Sequence, residues 1–186
     1  MAEGRVPPQS IEAELSVLGA MMLKPAAVSQ AIELLRADEF YRQAHRAVFE
    51  AMEALVRAGE PVDIVTVTES LRKSGLLEQV GGVSFLANLT NTVPSTANLA
   101  HYAKIVREKA ILRALIDAST EIAGAAYEAS EDIAEQLDDA ERKILAIAGG
   151  QTTGAFIPAK EVVFDAVDRV SELAKSKGGI TGLSTG

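Results

Sequence analysis

What most limits the fold of this sequence is its punctuation. Apolar residues recur at three- and four-residue intervals, and nearly every interruption is one that starts or stops a helix. Pro7-Pro8 leads into Ser10, a good N-cap, after which Ile11, Leu15, Leu18 and Met22 follow at helical spacing. Pro25 opens a second helix through Val28, Ile32 and Leu35, because a first helical residue needs no N–H. Between Phe40 and Ala58, residues Tyr41, Ala44, Val48, Met52 and Leu55 fall on one face, and Gly59-Glu60-Pro61 ends the run. Hydrophobic residues make up 48% of the 186, enough for a core, whereas aromatics make up 4% with no Trp, which favours close-packed helices over strands.

One stretch argues for a strand. Val62 to Thr68 is rich in β-branched residues, but Thr66-Val-Thr-Glu69 fits a capping box and Gly75 a stop, so the stretch reads as the start of a helix. Gly81-Gly82 introduces a short helix with Phe85, Leu86 and Leu89, and Val93-Pro-Ser-Thr96 forms a turn and cap. An unbroken helical pattern then runs from Ala97 to Tyr127, and Ser130-Glu-Asp132 caps another to Ala148. The short gap between them makes an antiparallel hairpin. The fold class expected is all-α: a globular helical head over 1–100, a long helical hairpin over 101–148 and a flexible linker over 149–186. That linker contains a helix at 159–175, with Val162, Ala166, Val170 and Leu173 on one stripe and no companion in the chain to cover it.

On the first hairpin helix, Tyr102, Ile105, Leu112 and Ile116 form one apolar stripe and Ile111, Leu115, Ala118 and Ile122 a second. A single antiparallel partner cannot cover both. Packing of the head, a subunit or partner interface, or both at different levels, accounts for the excess.

Catalytic chemistry is hard to place. Cys is absent, which removes disulfides, thiol nucleophiles and Cys-based metal sites. No G-x-x-x-x-G-K-[ST] phosphate loop occurs, and Gly182-Leu-Ser-Thr-Gly186 matches the hydrolase elbow without its strand and helix. His45 and His101 read as helix-face or capping residues. The acids Glu131, Asp132, Glu135, Asp138, Asp139 and Glu141 read as a solvated helix face, and Lys104, Arg107, Lys109 and Arg113 as surface charge in two groups. No catalytic, metal or cofactor residue is assigned. The net charge of −8 is spread evenly, with 8 basic against 12 acidic residues up to Ala100 and 10 against 14 after it, which opposes strong DNA binding. With no apolar leader after the first residues and no run long enough for a membrane helix, a cytoplasmic protein with no membrane partner is expected.

Four stretches resemble the N-terminal region of bacterial replicative DNA helicases of the DnaB family. They are Ile11-Glu-Ala-Glu-Leu-Ser-Val-Leu-Gly-Ala20, Phe40-Tyr-Arg-Gln-Ala-His-Arg-Ala-Val-Phe49, Gly81-Gly-Val-Ser-Phe-Leu86 and Tyr102-Ala-Lys-Ile-Val-Arg-Glu-Lys-Ala-Ile-Leu-Arg113, with Val93-Pro-Ser-Thr-Ala-Asn98 in matching position. Ile180-Thr-Gly-Leu-Ser-Thr-Gly186 resembles the lead-in to that family's RecA-like ATPase core, so the chain is expected to be cut at a domain border. The resemblance implies the collar of a hexameric, ATP-driven 5′→3′ helicase, with ATP and Mg held by a motor outside this chain. It implies subunit pairing through the hairpin, docking of primase, a possible helicase loader, DNA contact through the motor, and a linker helix that docks on a neighbouring subunit. By position it places Ile116, Ile122 and Ile133, with Phe85, at the primase or subunit interface. The rival expectation is a free-standing all-α adaptor without a motor.

Overall fold

The computed structural model describes residues 6–92, 96–128 and 132–149. The chain divides into units 1–151 and 152–186, and every described residue belongs to the first. The linker stripe at Val162, Ala166, Val170 and Leu173 therefore lies outside the described residues, as do Pro94, Ser130 and Glu131.

Among the described residues the architecture is helical throughout, with no strand. Helix α1 (Ile11–Leu23) is followed by α2 (Pro25–Leu34), a 3-10 turn at Ala37–Glu39, α3 (Gln43–Arg57), α4 (Ile64–Lys73), α5 (Leu77–Val80) and α6 (Gly82–Thr92). A second 3-10 turn, Thr96–Asn98, leads into α7 (Leu99–Glu128), and α8 (Ile133–Gly149) returns along it. Ser10 caps α1 by accepting from the Ala13 N–H, and Pro25 opens α2, both as their sequence positions demand.

Helix α1 is the pillar of the head. It touches α2, α3, α6 and α7, so its small residues Ala13, Ser16, Gly19 and Ala20 are buried beside Val17, Leu18 and Met21. The stripe of Ile11, Leu15, Leu18 and Met22 is thus only part of its covered surface; a helix enclosed on several sides has no single apolar face. Around it Phe40 and Phe49 meet with ring centroids 5.0 Å apart, and Met52, Leu71, Leu86, Leu89 and Leu99 complete the core. Each such side chain contributes about 1.5–3 kcal/mol when fully withdrawn from water.

The β-branched run is helical, as expected, but its cap lies three residues earlier than the Thr66 box. Asp63 Oδ1 accepts from the Val65 and Thr66 N–H groups at 2.8 and 2.9 Å, and Thr66 Oγ1 accepts from the Asp63 N–H at 3.0 Å. The Thr66 N–H is the main reason that the Asp63 carboxyl lies below the usual aspartate range. Burial of Val67 and Leu71 outweighs the local preference for a strand. The single turn α5 has no counterpart in the sequence reading. It buries Leu77 and Val80 and ends at Gly81, whose φ of +103° favours glycine; a Cβ there would also crowd Phe85, 3.1 Å from its Cβ.

The head's core continues into the hairpin's first helix. Leu99, Ala103 and Val106 are buried in it, with Tyr102 and Ile105 packed alongside, whereas further along α7 only Ala118 is buried. The head's core thus covers the first part of α7, and the apolar excess beyond it stays exposed.

Candidate partner interface on the helical hairpin

Beyond the head, α7 and α8 hold each other by a thin seam. Ile122 and Ala126 on α7 face Ile133, Leu137 and Ala140 on α8 around a groove of about 160 Å³. Lys143 bridges the helices, with Nζ 3.1 Å from Glu121 Oε2 and 3.0 Å from Asp139 Oδ2; these hydrogen bonds, led by the one to Asp139, raise its pKa. Of the acids read as a solvated face, Asp132, Glu135, Asp138 and Glu141 are exposed, and Asp139 is engaged by Arg142 and Lys143.

The seam leaves most of the hairpin's apolar surface uncovered. Helix α8 has no buried residue, although it carries Ile133, Leu137, Ile144 and Leu145, which are 74, 66, 42 and 60% exposed. At 100° per residue Ile133, Leu137 and Ile144 fall within about 40° of one another. On α7, Leu112, Leu115 and Ile116 stand at the i, i+3, i+4 spacing of one face and are 43, 42 and 51% exposed. The apolar side of this 17-residue helix is therefore left uncovered.

The proposed interface residues therefore divide. Ile122 and Ile133 meet across the hairpin groove, Ile122 half-buried and Ile133 exposed. Ile116 is exposed on a face about 120° round α7 from Ile122. Phe85 belongs to the head, half-buried on α6, where its ring stacks on His45 at 5.8 Å and 11°.

That stack ends a buried polar chain that sequence reasoning missed. His45 is not a surface histidine: it is 1% exposed, and its Nδ1 lies 2.6 Å from Oε2 of Glu14, itself 1% exposed on α1. Glu14 Oε1 accepts from the Tyr41 N–H at 2.7 Å, and Oε2 from the Arg42 N–H at 3.4 Å. Helix α3 has no side-chain cap of its own, so a carboxylate from another helix takes that part, at the end where the dipole favours negative charge. A glutamate whose neighbours Ala13, Val17 and Leu18 are all apolar core residues was the available signal.

Two arginines read as surface charge are also structural. Arg113 donates from Nη1 to the Pro8 carbonyl at 2.9 Å and from Nη2 to the Glu39 carbonyl at 2.6 Å, and its guanidinium lies 5.6 Å from the Tyr41 ring centre. Burial lowers its pKa, with Glu14 opposing. Arg107 Nε lies 3.4 Å from Glu39 Oε1, and burial nonetheless pushes the Glu39 carboxyl above its usual range. These contacts pin α7 to the head at the level where its exposed stripe begins.

No group of His, Asp and Glu able to hold a metal occurs among the described residues, and no described helix is long and apolar enough to cross a membrane. The chain is 46% identical over 182 residues to the replicative DNA helicase DnaC of Bacillus subtilis and to DnaB of Geobacillus stearothermophilus, and 42% identical over 191 residues to DnaB of Pasteurella multocida. These alignments take in 98–100% of the chain but only 40–41% of the relatives' length. Among solved structures, the N-terminal domain of DnaB helicase from Mycobacterium tuberculosis matches with TM-score 0.73 and 43% identity, over 76% of this chain and 99% of that one. A DnaB-like replicative helicase described together with its interactions with primase has the same fold, at TM-score 0.66 and 22% identity, over 95% of this chain and 38% of that one. The model of the DnaB-like helicase N-terminal domain matches residues 6–108, and the chain belongs to that family.

Proposed function

We propose that this chain is the collar of a hexameric replicative DNA helicase, acting in the cytoplasm as the module through which subunits pair and primase docks. The observation that carries the reading is α8: a helix with an apolar side and no buried residue, in a chain that aligns along its whole length with replicative helicases. The ATP-driven 5′→3′ unwinding activity, its ATP and Mg, the DNA contact and any loader contact belong to the rest of the protein, because the 186 residues contain no phosphate loop. Within the collar, Ile116, Ile122 and Ile133 supply apolar contacts for primase or a neighbouring subunit, and Phe85 a further contact on the head. The linker stripe Val162, Ala166, Val170 and Leu173 docks on the adjacent subunit.

Calorimetric titration of the chain with the helicase-binding domain of primase tests the docking role. Saturable binding is expected at micromolar concentrations, and Ile116→Asn should weaken it at least about tenfold, since an exposed apolar contact buried on binding is replaced by an amide. Ile116 is half-exposed, so the variant should melt with the parent. No heat at tens of micromolar contradicts the docking role.

A further inference from the structure

A second surface adjoins the hairpin stripe. Where the end of α2, the first 3-10 turn, α3 and α7 meet the last turns of α8, they enclose an open groove of about 490 Å³, within the size range of small-molecule sites. Arg36, Arg46, Arg107 and Arg113 line it, and so do Ile111 and Ala114, on the same face of α7 as Arg107, with Ile147 from α8.

The guanidiniums are unequally engaged. Arg107 is tied to Glu39, whose Oε2 also accepts from the Arg36 N–H at 2.6 Å. Among the described residues Arg46 donates from Nε alone, to the Phe40 carbonyl at 2.5 Å, which leaves both of its Nη groups open there. Arg113 bonds backbone carbonyls rather than a carboxylate, and Arg36 forms no ion pair among the described residues. Arg46 and Arg113 are close enough for their charges to disfavour each other. Asp38 and Asp117 also line the groove and temper the excess, which suits a small anion better than a long polyanion. Donors converging from separate elements fit the several oxygens of a tetrahedral oxyanion, and the aliphatic side chains offer cover for a ring attached to it.

We propose that this groove binds a nucleoside phosphate, with the open guanidiniums of Arg36 and Arg46 on the phosphates and Ile111, Ala114 and Ile147 against the nucleoside. The groove borders the docking stripe, Ile111 lying one turn from Leu115 on α7. The 186-residue chain has no phosphate loop, so nucleotide binding to it does not report a P-loop site, and the shifted amides with the Arg36→Ala variant tell this groove from other surfaces.

The test is a low-salt titration with ADP, pyrophosphate and adenosine, followed by amide NMR. Saturable ADP binding is expected in the range of about 0.1–1 mM, with shifts concentrated between Ala110 and Asp117 and at Ile147. Pyrophosphate should bind roughly tenfold more weakly, and adenosine not measurably. Arg36→Ala should weaken ADP at least about fivefold with an unchanged melting curve, since Arg36 is exposed and away from the core. Equal affinities for ADP and pyrophosphate, an unaffected Arg36→Ala, or no saturation by about 10 mM would overturn the assignment. So would tighter binding of a single-stranded oligonucleotide to the same residues.

Discussion

Replacing Glu14 by Ala should lower the melting temperature by about 10 °C, a larger loss than an ordinary surface or helix-capping change produces. The side chain is 1% exposed and serves three donors: the Tyr41 and Arg42 N–H groups and His45 Nδ1. Truncation leaves the buried His45 Nδ1 and the part-buried Tyr41 and Arg42 N–H groups without this partner. Each buried orphan costs about 1–3 kcal/mol, so a total of roughly 3–5 kcal/mol is expected after relaxation. Glu14→Gln keeps the shape and one acceptor oxygen, and should lose about half as much. The damage should also reach Phe85, because the imidazole that stacks on it is oriented by that carboxylate. Thermal melts of both variants, with the Phe85 ring resonances followed by NMR, check this. Losses under about 1 kcal/mol for both would show that α3 does not need the Glu14 cap.

The second large effect is expected on association rather than stability. Leu145 is 60% exposed on α8 and lines none of the grooves described here, so Leu145→Asp should leave the melting temperature within about 2 °C of the parent. If α8 pairs with another subunit, the same change buries an unpaired carboxylate and should weaken pairing at least about 100-fold. Light scattering at matched concentrations reads the difference. A variant that associates as well as its parent would show that the subunit contact uses another face.

Sequence reading reached the helices because their signals are local: Ser10, Pro25 and the glycines at 59 and 75 act within one turn. It reached the antiparallel hairpin because the connection is short, and the meeting of Ile122 with Ile133 follows from that. It missed α5 because four residues carry no readable period. It placed the α4 cap at Thr66 because a threonine followed by Glu69 imitates a capping box, while the Asp63 carboxylate satisfies two N–H groups at once. Glu14, His45 and Arg113 escaped for one common reason. Their partners lie 27 to 105 residues away, and an acid in the first turn of a helix or a base on a long helix ordinarily faces water. Long-range polar contacts of this kind are set by tertiary packing, which periodicity does not encode.

The uncovered apolar side of the hairpin is expected to be an interface. Sedimentation equilibrium of the unmodified chain, from about 1 to 200 µM in moderate salt, tests that most directly. Reversible, concentration-dependent association is predicted, little changed by added salt because the contact is apolar. A chain that stays monomeric over the whole range, with Ile133, Leu137 and Leu145 open to water, would contradict it.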